Sequence, residues 1–147
     1  MLAQLRALHC IHHTHHWQAL GDSFYGDHLL FGRLYEAIAA EIDTVGEKVI
    51  GLSCVENVNL IIQINQITQF VLCVTQDRNA IPDKNDLVKR SMMCELDFLN
   101  NCAMAKQMLD AAGMLTGGVS NMIESIEDVH EGHVYLLKQR IMNTNVV

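Results

Sequence analysis

Between His16 and Glu47 two amphipathic helical segments meet at a three-residue break, Gly21-Asp22-Ser23, and that junction limits both the fold and the chemistry open to the chain. The first segment, roughly Leu2 to Leu20, carries Leu5, Leu8, Ile11 (or His12), His15 and Gln18 or Ala19 at recurring positions. The second, about Phe24 to Ile50, carries Phe31, Leu34, Ile38, Ile42 (with Val45) and Val49 at steps of three and four. That is the stripe of a helix facing a core. Ser23 or Asp22 suits the N-cap, and Asp27 places a negative charge in the early turns, where the helix dipole favours it. So short a break predicts an antiparallel hairpin.

The remainder predicts a second pair of helices. One runs from about Asp83 to Ala112, with Leu87, Met93 (or Arg90), Leu96 (or Asp97), Leu99 and Ala103 in or near its buried stripe, and Gly113 closes or kinks it. After Gly117-Gly118 the other spans about Val119 to Met142, with Met122, Ile126, Val129, His133, Leu137 and Ile141 (or Arg140) facing inward. Between the pairs, Asn57 to Val74 is apolar without strict alternation and is expected to form one short helix inside a long crossover, while Asp77 to Asp83 is turn material. The expected fold is therefore all-α, a single domain over 1–147: a four-helix bundle with a long crossover containing a short helix.

Composition agrees, since one proline and 5% aromatics favour helices over sheet. With 17 acidic against 10 basic residues and no Lys/Arg-rich arm, direct DNA binding is not expected. The five cysteines form no CxxC pair and are expected to be free, mostly buried thiols. The most apolar run, Leu60 to Val74, is interrupted by Gln63, Asn65, Gln66 and Gln69 and does not qualify as a membrane span. A soluble cytoplasmic protein is expected.

His16 and His28 lie five or six residues to either side of the break, so in a hairpin they stand at the same height, about 8 Å from the turn. Asp43 and Glu47 share a face of the second helix one turn apart, which lets both carboxylates reach one ion or adjacent ions. His28 and Asp43, however, are separated by roughly 22 Å of helix rise. Within one chain these are two half-sites. A two-fold axis crossing the second helix would set His16 and His28 opposite the partner's carboxylates, twice over. Two imidazoles with two carboxylates suit Fe(II) and admit Zn(II), Mn(II) or Co(II). Taken singly, each of the four is as well explained by a solvated or packed helix face.

The run HWQALGDSFYGDHLLFGRLYEAIAAEIDTVGEKVIG, with His16-Trp17, Gly21, Phe24, His28, Phe31, Tyr35, Asp43, Glu47 and Ile50-Gly51, resembles the first two helices of the Dps family, the miniferritins of the ferritin-like superfamily. The likeness is weaker elsewhere; Gly132 to Leu137 matches a C-terminal feature of that family with Tyr135 where tryptophan is usual. The resemblance implies a ferritin-like fold, a hollow homododecamer and a ferroxidase that oxidises Fe(II) with hydrogen peroxide, or more slowly with oxygen, and stores ferric oxide. By position it implies His16 and His28 as iron ligands of one subunit and Asp43 and Glu47 as those of its partner, a diiron centre at the dimer interface with Trp17 beside it. A shell that holds zinc or another divalent metal without turnover is the competing expectation.

Other groups fit the same picture less directly. His9, His12, His13 and His15 load the first helix with imidazoles, either as an accessory metal or Fe(II) relay site or as a polar surface near the seam. Glu124, Glu127, Asp128 and Glu131 form an acidic band, a solvated face or, as in the family, a pore lining. Glu36 is a candidate for mineral nucleation. Glu127 with His130 is an ExxH pair, but the first helix supplies no matching glutamate, and His130 and His133 are otherwise expected on a helix surface or in an interface hydrogen bond.

Overall fold

The computed structural model of the chain describes residues 1–74 and 84–142, which are helical and contain no strand. Four long helices, α1 (Leu2–Gln18), α2 (Phe24–Leu52), α4 (Lys84–Ala111) and α5 (Gly117–Met142), pack around a shared core; a 3-10 turn (Val55–Val58) and the shorter α3 (Leu60–Val74) follow α2. The expected turn from Asp77 to Asp83 lies outside the described residues. No described helix is long and apolar enough to cross a membrane.

Each helix boundary has a local cause. Gly21, at φ 77°, takes the left-handed conformation that turns α1 into α2. Asn59 caps α3 by accepting from the Ile61 amide at 3.0 Å, and Thr116 accepts from the Val119 amide at 3.3 Å at the start of α5. Gly113, at φ 68°, ends α4 in a Schellman turn: the Met114 amide donates to the Leu109 carbonyl at 2.8 Å and the Gly113 amide to the Asp110 carbonyl at 2.9 Å. Ser23 does stand at the N-cap of α2, but its hydroxyl makes no capping bond there because it donates to Asp27 instead.

The hairpin of α1 and α2 is antiparallel. Leu2 lies against Gly46, near the far end of α2, and His16 lies against Gly32, near its start. The other long pair is antiparallel too, since Glu95 meets His130 and His133 while Lys106 meets Glu124. The core has two parts. One gathers Leu5, Leu8, Ile38, Phe98 and Ile123, and the other Phe31, Leu34, Leu87, Val88 and Leu137.

The expected stripes hold on α1, α2 and α5, with Ala19 rather than Gln18 buried and with Ile42, Val49, Met122, Val129 and Ile141 only partly buried. On α4 the expectation holds at Leu87 and, partly buried, at Leu99, but Met93, Leu96 and Ala103 are exposed, and the helix instead buries Val88, Ser91, Cys94, Glu95, Phe98 and Cys102. The reason is that α4 turns a serine and a glutamate, Ser91 and Glu95, inward, which an apolar pattern counts as surface. The cysteine expectation holds only in part: all five are free, but Cys10, Cys54 and Cys73 are exposed. The two inward thiols, Cys94 and Cys102, are pushed up to about 12 by burial and stay protonated at neutral pH.

One ion pair ties the start of α2 to the end of α5. Asp27, 2% exposed, accepts from Arg140 Nε at 2.5 Å and Nη2 at 2.9 Å, and Ser23 Oγ accepts from Nη2 at 2.8 Å. This fork geometry satisfies both carboxylate oxygens. Arg140→Ala leaves a buried carboxylate without its counter-charge and is expected to lower unfolding free energy by about 3 kcal/mol. Ser23→Ala removes only one neutral partner and is expected to lower it by about 1 kcal/mol. Urea denaturation of the two variants measures both; equal effects would mean that the ion pair contributes no more than its hydroxyl neighbour.

Candidate metal centres

Near the α1–α2 turn, His16 and His28 form a reciprocal pair. His16 Nδ1 donates to the His28 carbonyl at 2.7 Å and His28 Nδ1 donates to the His16 carbonyl at 3.0 Å. Their rings stack with centroids 3.6 Å apart. A carbonyl can only accept, so each Nδ1 carries a proton, and in the neutral tautomer this leaves the lone pair on Nε2. Metal-binding histidines are oriented by such a second hydrogen bond. The equal height expected from the spacing is therefore what the structure has. Asp43 and Glu47 are exposed farther along α2, and neither joins the histidine pair within the chain.

Trp17 is 67% exposed and rests on His13, with centroids 4.1 Å apart. Tyr35 of α2 extends this group, lying 4.4 Å from His13, 5.6 Å from His9 and 5.4 Å from His16 by ring centroids. The acidic band of α5 is partly neutralised: Lys106 lies 3.0 Å from Glu124 and 3.6 Å from Glu127. Asp128, Glu131 and Glu36 are exposed.

A second cluster, which the sequence patterns hid, lies inside the molecule. Glu95 of α4 is fully buried, as are His130 of α5 and His12 of α1, and His133 is 4% exposed. Glu95 Oε1 accepts from His12 Nε2 at 2.7 Å and from His133 Nδ1 at 3.1 Å. Glu95 Oε2 accepts a short hydrogen bond from His130 Nδ1. On its other side His130 Nε2 donates to Glu41 Oε2 of α2 at 3.0 Å. Behind His12, Ser91 Oγ lies 3.1 Å from His12 Nδ1 and 2.8 Å from His15 Nδ1. With His12 donating at Nε2, the proton order that satisfies every contact is His15 to Ser91 and Ser91 to His12.

His130 and His133 are thus not on a helix surface: they are buried and hydrogen-bonded to Glu95 where α5 packs on α4. The ExxH reading is corrected as well: Glu127 turns to Lys106, and the carboxylates facing His130 come from α4 and α2. His12 and His16, one turn apart on α1, go separate ways, His12 to the interior and His16 to α2. Glu95, His130 and His133 offer ligand atoms within 4.8 Å of one another and could hold a metal ion; they are the group of this kind found among the described residues.

The charges follow from the contacts. Burial alone would raise the Glu95 carboxyl, but hydrogen bonds from His12, His130 and His133 outweigh it and hold it well below the ordinary range. Burial likewise opposes a charge on His130, yet its bonds to Glu41 and Glu95 prevail and raise it to about 9. His15 has no carboxylate partner. Burial above all, with the unfavourable electrostatics of the His12 and Arg90 side chains beside it, drops it to about 3, so it is neutral.

Compared with protein-family models, with curated proteins and with solved structures, the chain gave no match.

The protonation pattern predicts a stability dome for the metal-stripped protein. The His130 contribution is complete below its ordinary value of 6.5 and is lost as pH rises through about 9. The contributions of His15 and Glu95 are present above their ordinary values of 6.5 and 4.5 and are lost as pH falls. Melting temperature should therefore peak near neutrality and fall on both sides. In His130→Gln the decline between pH 7 and 9 should largely vanish, because the thiols Cys94 and Cys102 begin to act only above their ordinary value of 9. An unchanged alkaline limb in that variant would remove His130 as its source.

Proposed function

We propose that the protein oxidises Fe(II) and stores the ferric product inside a ferritin-like shell, at centres completed between two chains. The observation that carries this reading is the reciprocal His16–His28 pair, whose two Nδ1 protons are committed to backbone carbonyls and whose two Nε2 atoms remain as ligands. The four packed helices and the likeness of the first two to the Dps family support the same reading.

The half-site argument then requires a second copy. Asp43 and Glu47 are exposed and about 22 and about 28 Å along α2 from His28, so a two-fold axis is the economical way to bring the two pairs together. The exposed apolar side chains Trp17, Phe24 and Leu29 beside the histidines, and Leu60, Ile61 and Ile64 on α3, support burial against such a copy. A dodecamer built from these dimers is part of the proposal. DNA is not, given the net charge of −7.

The chemistry needs little from the protein beyond placement. Two Fe(II) substrates held together give one electron each to hydrogen peroxide, its O–O bond breaks, and two protons complete two waters. Simultaneous delivery avoids releasing a hydroxyl radical. His16 and His28 set the position, while Asp43 and Glu47 neutralise the added charge and can change binding mode between the two iron states. Trp17, in tilted ring contact with His13 beside the pair, is placed to accept a stray oxidising equivalent or to pack the seam.

His28→Ala and Glu47→Ala are each expected to slow peroxide-driven ferric absorbance at least about tenfold. Co-assembled from equal amounts of the two variants, the protein should recover about a quarter of the wild-type rate, because half the dimers are mixed and each mixed dimer keeps one intact site. Recovery of nothing would argue against a shared site. Wild-type kinetics in the H28A/E47A double variant would end the ferroxidase reading.

A further inference from the structure

The interior cluster has no part in that reaction, and its composition asks for a cation. We infer that Glu95, His130 and His133 form a second metal site, closed within a single chain, which takes one divalent transition-metal ion entering past Glu41.

The ligand geometry comes first. His130 and His133 are one turn apart on α5 and direct their rings to the same carboxylate of α4. The three ligand atoms already lie within 4.8 Å of one another, so a shared ion needs only side-chain adjustment. Nearby, His12 from α1 contacts Glu95 and Glu41 from α2 contacts His130, so every long helix supplies a donor to one small volume. Two imidazoles and a carboxylate favour Zn(II), Fe(II) or Co(II) over Mg(II) and Ca(II), which prefer all-oxygen sites.

Charge and an unpartnered atom point the same way. Glu95 and Glu41 put two carboxylates in the interior, and a divalent ion matches them both. Glu41 Oε2 is taken up by His130, but its Oε1 is buried without any hydrogen-bond partner. A buried carboxylate oxygen left bare is expensive unless something binds there. The outer layer is also built: Ser91 spans His12 and His15, and so fixes the ring that abuts Glu95.

The cluster has an entrance. A groove between α2 and α5 is lined by Ala37, Ala40, Glu41, Thr44, Ser125 and Val129. The small side chains of α2 leave it open, and Glu41, whose side chain is 11% exposed, lies at its floor with His130 directly behind. Glu41 is thus placed to receive an ion from solvent and pass it inward.

The test uses whole protein stripped with EDTA and titrated with Co(II), read by visible absorption and by bound metal at equilibrium dialysis. H28A/E47A, which loses one ligand of each seam pair, is expected to keep one Co(II) per chain with a ligand-field band. Adding Glu95→Gln or His133→Gln to that background should abolish it, while Glu41→Gln should slow uptake at least about tenfold at unchanged stoichiometry. The proposal is overturned if folded H28A/E47A binds no Co(II), or if the added Glu95→Gln or His133→Gln leaves stoichiometry and band intact. The first of these needs no interior variant, so a misfolded Glu95→Gln would not shelter the idea. Failure of iron oxidation in H28A/E47A bears on the seam reading alone.

Discussion

The interior of this protein is organised around a carboxylate that cannot be left alone. Glu95 is fully buried, and removing an unpaired carboxylate from water is among the least favourable steps a fold can contain. The helices converge on it accordingly: α1 brings His12, α5 brings His130 and His133, and α2 brings Glu41 to the far side of His130. Apolar packing lies around this knot, including Phe98, whose ring is 4.4 Å from that of His130. A hydrophobic core alone tolerates sliding and rotation of helices. Directional contacts from two other helices to one carboxylate do not, so the register of α4 against α1 and α5 is set there.

A second constraint acts on the surface and concerns reach. Helix rise keeps His28 and Asp43 roughly 22 Å apart, whatever the side chains do. The turn at Gly21 does the opposite for His16 and His28, which it brings into ring contact. One short loop therefore builds half of a site, and the straightness of α2 prevents the other half from joining it within the chain. On the proposed reading the His16–His28 pair depends on assembly, whereas the contacts of the interior cluster are all made within one chain.

How much of this was legible depended on which side chains carried the pattern. The stripes Leu5–Leu8, Phe31–Leu34–Ile38 and Ile126–Leu137 are apolar, and they placed α1, α2 and α5 correctly. The height of His16 against His28 followed from counting residues to the turn. On α4 the count failed, because Ser91 and Glu95 occupy inward positions and Met93 and Leu96 do not. A signal existed nonetheless: α1, α4 and α5 each interrupt their buried stripe with two polar residues, His12 and His15, Ser91 and Glu95, His130 and His133. Polar gaps in three stripes mean a shared polar layer when the helices pack, but one helix read at a time shows only a weak stripe.

Histidine spacing by itself would have misassigned these residues, and the structure shows what distinguishes them. His12 and His16 are one turn apart on the same helix, yet one abuts a buried carboxylate and the other a backbone carbonyl. The partner of a ring nitrogen decides its chemistry. A carbonyl at Nδ1 fixes the proton there and leaves Nε2 as a neutral ligand, as at His16 and His28. Carboxylates at both nitrogens hold a second proton on the ring, as at His130, until something else occupies the space between them. On the proposed readings the His16–His28 pair has ring nitrogens to offer and lacks counter-charges, while His130 has carboxylates on both sides and holds a proton between them. One cluster is then completed by another chain, the other by an ion.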